Sequence, residues 1–271
     1  MYVGEAVVLA AGIGSRLGRI ARGAKFAVKV AGRPLIQYPV LSLASAGVRR
    51  VVVVTRSAVL PLARMAMRGV QDVVDVRFCV NNEWYRENGY SLYVASRCVR
   101  SNVFYVSMSD HIYPAWVPRR LAEAAREYPD AVALVAGDRE PRFVDVDEAT
   151  RIRSRDGLVE AIGKGVSPWD YVDMGVFVMR REIFEVAARV AGRKATFGLS
   201  DVLMEAVSSG FEVRVVDVTG APWVEVDTPS DYWSLVHGSK REVLSAAVES
   251  WSEPLISMDG GVRRNEAGEE Q

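Results

Sequence analysis

The chain predicts an α/β fold: a mostly parallel, Rossmann-like sheet flanked by helices, with a smaller antiparallel β subregion. Three observations carry that expectation. Apolar β-branched runs recur at Glu5–Ala10, Val48–Thr55, Val73–Val80, Val103–Met108 and Asp130–Ala136. Segments of helical period separate them near residues 33–46, 57–68, 89–99 and 115–128. Strands alternating with helices imply right-handed crossovers and parallel pairing. The runs are also almost uninterruptedly apolar, as strands covered on both faces are.

The first strand empties into Val7-Val8-Leu9-Ala10-Ala11-Gly12-Ile13-Gly14-Ser15-Arg16-Leu17-Gly18, with Lys25 close behind. Small residues at Ala10, Ala11, Gly12 and Gly14 let backbone amides approach phosphate oxygens, and glycine permits the positive φ that aims successive amides at one anion. Arg16 and Lys25 add the charge that amide dipoles lack. The loop is neither G-x-x-x-x-G-K-[ST] nor G-x-G-x-x-G, because Leu17 stands where the third glycine would be. It reads as a polyphosphate grip of another kind.

Asn81 follows the third strand and opens Asn81–Leu92, where Asn88 and Ser91 stand at a helix start. These side chains suit a base edge or, equally, plain helix capping. Asp110 ends an otherwise apolar strand and needs a cation or N–H donors. Its alternative role as a helix N-cap is weakened by Tyr113 and Pro114, which delay the helix. His111 beside it is explained as well by a structural hydrogen bond.

After residue 140 the rhythm changes. Phe143–Asp147 and Leu158–Ile162 flank a turn signature at Arg155-Asp156-Gly157 and predict a hairpin, and Tyr171–Met179 predicts a further strand. Lys164 sits between two glycines, and Asp173 lies in the strand that follows; a solvent-facing lysine and a strand-edge acid are the plain alternatives. Helices are expected near 181–191 and 199–209, strands near 211–218 and 222–227, and a helix from Ser230. Glu225 and Asp227 alternate, so they share one strand face and repel each other unless a cation lies between them. Asp231 reads as a first-turn acid favoured by the helix dipole. The expected organisation is 1–237, divided into a nucleotide half (1–140) and an acceptor half (141–237), then a helix in 238–254 and a disordered tail over 255–271.

The 271 residues carry 34 basic and 34 acidic side chains. That balance argues against a general nucleic-acid or anionic-membrane binder. With no apolar stretch of membrane-spanning length and no signal peptide, a cytoplasmic chain is expected. Cys79 and Cys98, each in apolar surroundings, read as buried thiols rather than a disulfide or a metal site. Only five of the basic residues are lysine, which draws attention to Lys25 and Lys164.

From Leu9 to Leu17 the chain resembles the L-A-A-G-x-G-[ST]-R-[LM] signature of sugar-phosphate nucleotidyltransferases, followed by a lysine and the G-x-P-[LI] element at Gly32–Leu35. Asp110-His111, Val144–Ile152 and Trp223–Asp231 resemble its CTP:inositol-1-phosphate cytidylyltransferase branch, with Glu225 in place of an aspartate and Ala24 in place of the usual proline. The likeness runs from about residue 5 to 237 and implies a nucleotide-diphospho-sugar transferase type of fold. It also implies transfer of CMP from CTP to inositol 1-phosphate with Mg²⁺. Leu9, Ala10, Ala11, Gly12, Gly14, Ser15, Arg16 and Lys25 would hold the triphosphate, and Asn81, Asn88 and Ser91 the pyrimidine. Asp110 and Asp227 would bind the metal. Lys164, Asp173, His111 and Glu225 would meet the acceptor, with Lys164 on its phosphate and in the catalytic set with Arg16 and Lys25. A separate membrane-embedded CDP-alcohol phosphatidyltransferase is the implied consumer of the product. The alternatives are choline phosphate or another sugar 1-phosphate as acceptor, and a non-catalytic nucleotide-sugar-binding homologue.

Overall fold

The computed structural model describes residues 3–252 apart from Arg22, so the tail expected over 255–271 lies outside the described residues. The strands are β1 (Glu5–Leu9), β2 (Lys29–Val30), β3 (Arg33–Pro34), β4 (Arg50–Thr55), β5 (Asp75–Val80), β6 (Val103–Met108) and β7 (His111–Ile112). They continue with β8 (Ala133–Asp138), β9 (Arg151–Arg155), β10 (Leu158–Gly163), β11 (Tyr171–Arg180), β12 (Val213–Asp217) and β13 (Val224–Glu225). The helices are α1 (Gln37–Ser45), α2 (Leu60–Met67), α3 (Glu87–Ala95), α4 (Trp116–Glu127), α5 (Ile183–Arg193), α6 (Leu199–Ser208), α7 (Pro229–His237) and α8 (Arg241–Ser250).

One nine-stranded sheet runs β5-β4-β1-β6-β11-β8-β12-β10-β9. β5, β4, β1 and β6 are mutually parallel, and β8 pairs parallel with β12. β11 enters antiparallel between β6 and β8, and β9 and β10 close the far edge antiparallel. The sheet is therefore mixed: β5, β4, β1 and β6 form one parallel block, and β8 and β12 form a second parallel pair beyond β11. Successive β1 residues feed opposite cores: Ala6 and Val8 pack on one face, Val7 and Leu9 on the other. Each fully buried valine of this kind contributes roughly 1.5–3 kcal/mol. A third apolar cluster ties Leu17, Ile112, Val224 and Leu235 together beneath the C-terminal helices.

Two expectations need correction. Phe143–Asp147 is not a strand. Its alternating valines mimic strand periodicity, but the Asp145 carboxylate accepts from the Asp147 amide (3.0 Å) and turns the chain. The Asp156-Gly157 turn, with φ of 52° and 78°, joins its strands directly, pairing Leu158 with Arg155, so β9 takes the place given to 143–147.

The second correction is that Cys79 and Cys98 form a disulfide. α3 runs back along the sheet and sets their Cα atoms 6.2 Å apart, a relation invisible from either cysteine's own neighbours. The bond closes a loop of sequence separation 19, which is worth about 3 kcal/mol by chain entropy. Reduction, or Cys98→Ser, is expected to lower the melting temperature by roughly 5–10 °C in a calorimetric scan. An unchanged transition would show that the pair constrains nothing.

Candidate active site

Parallel pairing brings the carboxyl ends of β1, β4, β5 and β6 to one edge, where ligands bind in such sheets. The loop after β1, Asn81 after β5 and Asp110 after β6 all lie there. β11 runs the other way, with Val176 opposite Ser107, so Asp173–Gly175 overhang the end of β6. The antiparallel pair β7–β13 sets His111 against Glu225, and the Val226 amide donates to the Asp110 carbonyl (3.0 Å). The strand expected over 222–227 is thus only two residues long, yet both of its acids reach the site.

In the glycine loop, Ala10 still belongs to the sheet, because its amide donates to the Val54 carbonyl (2.8 Å), and the Leu9 carbonyl accepts from Ser109 (3.2 Å). Among the described residues, the amides of Ala11, Gly12, Ile13 and Gly14 have no protein partner. Gly14 has φ 65° and starts the short 3₁₀ turn Ser15–Leu17. A Cβ on it would lie 2.6 Å from the Lys25 Cβ, so only glycine lets the loop pass over that lysine. Ala24 has φ −145° and donates to the Ala21 carbonyl (2.8 Å). Proline would supply neither, so the departure from the resembled pattern fits the local backbone.

Lys25 is buried, and its Nζ lies 2.5 Å from Asp110 Oδ2, in contact with Asp227 Oδ1 and 3.9 Å from Glu225 Oε1. Burial alone would lower its pKa, but the three carboxylates outweigh that and hold it above the ordinary lysine value. Burial likewise opposes ionisation of Asp110, yet Lys25 and His111 keep its carboxyl well below the usual carboxylate range. Glu225 is pushed up to about 7 by burial and by the charges of Asp110 and Asp227. One oxygen or more of Asp110, Glu225 and Asp227 falls within a mutual 4.8 Å. Hard carboxylate donors around a point already held by an ammonium fit a divalent ion of the Mg²⁺ type.

Arg16 pairs with Asp227, and 3.8 Å away its guanidinium meets Glu148, which also lies 3.9 Å from Lys164. The exposed Glu148 therefore spans Arg16 and Lys164. The sequence singles Glu148 out only as a charged side chain in a phrase of alternating valines. His111 Nδ1 donates to Asp110 Oδ1 (2.8 Å), and its ring stacks on Trp223 with planes 16° apart. Burial disfavours the imidazolium, but the Asp110 carboxylate raises the His111 pKa overall. Asp173 is pushed up to about 6 by burial, and its Oδ1 accepts from the Gly175 amide (2.8 Å) across an irregularity in β11. A Cβ on Gly175, φ 68°, would come 2.9 Å from the His111 ring, which explains a glycine there.

The Asn/Ser element is more tied up than its sequence suggests. Asn81 is buried, donates to Ser91 Oγ (3.0 Å) and accepts from the Glu83 amide (2.9 Å). Asn88 Oδ1 accepts from the Leu199 amide (2.8 Å) and so caps α6 rather than its own helix. Asp231 fulfils its structural reading: it forms a capping box with Thr228 and pairs with Lys240 at 2.7 Å. No helix among the described residues is long and apolar enough to cross a membrane.

The profile of the MobA-like NTP transferase domain matches residues 6–208. A bifunctional IPC transferase and DIPP synthase from Thermococcus kodakarensis is 34% identical over 254 residues, covering 93% of this chain and 54% of that protein. Its namesake from Archaeoglobus fulgidus is 34% identical over 253 residues, covering 93% and 46%. The chain thus spans about half the length of the curated relatives it matches. The structure of the inositol-1-phosphate CTP transferase from T. maritima superposes with a TM-score of 0.81 at 26% identity, over 91% of this chain and 97% of that one. The glycine loop, the signature lysine and the acid at the end of β6 all fall inside the matched span, and this chain belongs to the MobA-like NTP transferase family.

Proposed function

We propose that the protein transfers CMP from CTP to inositol 1-phosphate, releasing pyrophosphate, with Mg²⁺ as its cofactor. The observation that carries this reading is the meeting of Lys25, Asp110, Glu225 and Asp227 beside the glycine loop. The likeness to proteins named for IPC transfer and for inositol-1-phosphate CTP transfer supports it.

An oxygen of the acceptor phosphate attacks the α-phosphorus of CTP as the bond to the pyrophosphate oxygen breaks. The nucleophile is already an anion, so alignment and charge neutralisation suffice without a general base. The amides of Ala11, Gly12 and Gly14, with Ser15 and Arg16, hold the triphosphate, and Lys25 offsets charge growing on the departing pyrophosphate. Asp110, Asp227 and Glu225 would hold the metal, which supplies charge screening between the two phosphates when bound. Lys164 receives the acceptor phosphate, while Asp173 and His111 face its hydroxyls. The Asn81–Ser91 pair and Asn88 shape the pyrimidine side. On this reading the reaction takes place in the cytoplasm, and its product passes to a membrane-embedded CDP-alcohol phosphatidyltransferase.

Choline phosphate is the acceptor to measure against it, because Trp169, Tyr171 and Trp223 could have formed an aromatic cage. Two of these faces are otherwise engaged. Arg139 lies 4.1 Å from the Tyr171 ring centre, and Trp223 stacks on His111 while donating to Asp138 (2.8 Å). Pyrophosphate release should therefore be fastest with CTP among the four ribonucleotides, and with inositol 1-phosphate over glucose 1-phosphate and choline phosphate. Faster release with choline phosphate would replace the acceptor, and preference for another nucleotide would replace the cytidylyl assignment.

A further inference from the structure

The carboxylates of Asp110, Glu225 and Asp227 come from two distant parts of the chain and converge within 4.8 Å. Three acids this close cannot all stay ionised in a partly buried site without a cation among them. The protein supplies one itself, the Lys25 ammonium, 2.5 Å from Asp110 Oδ2 and in contact with Asp227. A divalent ion held by these same carboxylates would take the volume and the field that the ammonium now occupies. Lysine and divalent ion therefore exclude each other.

Lys25 can leave only if its charge is met elsewhere, because an unpaired buried ammonium is strongly disfavoured. Its backbone is pinned where Gly14 passes over its Cβ, so the movement belongs to the flexible four-carbon stem. Beside that stem is the glycine loop, where a triphosphate would offer several anionic oxygens. Arg16 repeats the arrangement one step further out, since it too is paired with Asp227 and would be drawn away by the same phosphates.

We infer that Lys25 is an internal counter-ion that keeps divalent cations out of the acid trio until a triphosphate draws it away, so that metal enters with the nucleotide and not before it. This rests on the proposed nucleotidyl transfer, but its test uses neither base nor acceptor. Mn²⁺ alone, followed by the loss of its free-ion electron paramagnetic resonance signal, should bind Lys25→Met and Lys25→Gln roughly tenfold or more tighter than the wild-type chain. Asp227→Asn placed in the Lys25→Met background should remove that gain. If the lysine variants are unstable without a cation, Mn²⁺ should raise their melting temperature and leave that of the wild type unmoved.

A wild-type arm needs no variant. Acetylation of Lys25 by an activated ester, read by mass spectrometry, should be slow and indifferent to millimolar Mn²⁺ alone. Equal Mn²⁺ affinity in wild type and variants, or faster Lys25 acetylation with Mn²⁺ alone, would overturn the inference. Nucleotidyl transfer itself stands or falls on pyrophosphate release, so the two failures are distinguishable.

Discussion

Asp110→Asn is expected to leave a folded chain that has lost magnesium-dependent turnover by roughly a thousandfold. The amide keeps the shape of the carboxylate and still offers His111 Nδ1 an acceptor, so the stacked His111 and Trp223 rings should stay in place. It removes one negative charge from a set of three and leaves a neutral oxygen, a poor partner for a divalent ion. Lys25 keeps Asp227 and Glu225, which limits the loss of stability to about 1–3 kcal/mol. Thermal melting and pyrophosphate release at saturating Mg²⁺ separate the two effects. Activity within tenfold of the wild type would take Asp110 out of the metal set.

Lys25→Ala should lower kcat by roughly 10²–10³-fold, with a smaller change in KM for CTP. The reason is timing. Negative charge on the departing pyrophosphate grows towards the transition state, so a cation beside it favours that state over the bound substrate. The same variant should bind Mn²⁺ more tightly than the wild type while turning over more slowly, a combination that simple damage to the site would not give. An unchanged kcat with only a raised KM would reduce Lys25 to a nucleotide clamp.

Much of this was written locally in the sequence. Val7–Leu9 and Val51–Val54 read as strands because burial on two faces demands continuous apolar residues. The loop of Gly12 to Arg16 stands out because small residues and a charge at fixed spacing suit a phosphate. Glu225 and Asp227 stood out as acids in an apolar run. What the sequence hid was long-range. Asn88 suits the start of its own helix, and nothing local shows that its oxygen caps Leu199, 111 positions away. The neighbours of each cysteine suggest a buried thiol, whereas the return path of α3 decides their pairing. At 143–147, valine periodicity competed with an aspartate that turns its own backbone, and the hydrogen bond of Asp145 won. The spacing of Lys25 points to a phosphate, and its place among three acids depends on the long-range pairing of β7 with β13.

That short β7–β13 pairing also sets the order in which competence is acquired. Lys25 and Asp227 are 202 positions apart in the chain, and the clip of His111–Ile112 against Val224–Glu225 is what brings the last acids home. During synthesis the phosphate loop, its lysine and Asp110 leave the ribosome long before Glu225 exists. Such long-range closures come late because their loop entropy must be overcome first. A nascent chain would thus carry the parallel block β5-β4-β1-β6 before the acid trio beside Lys25 is complete.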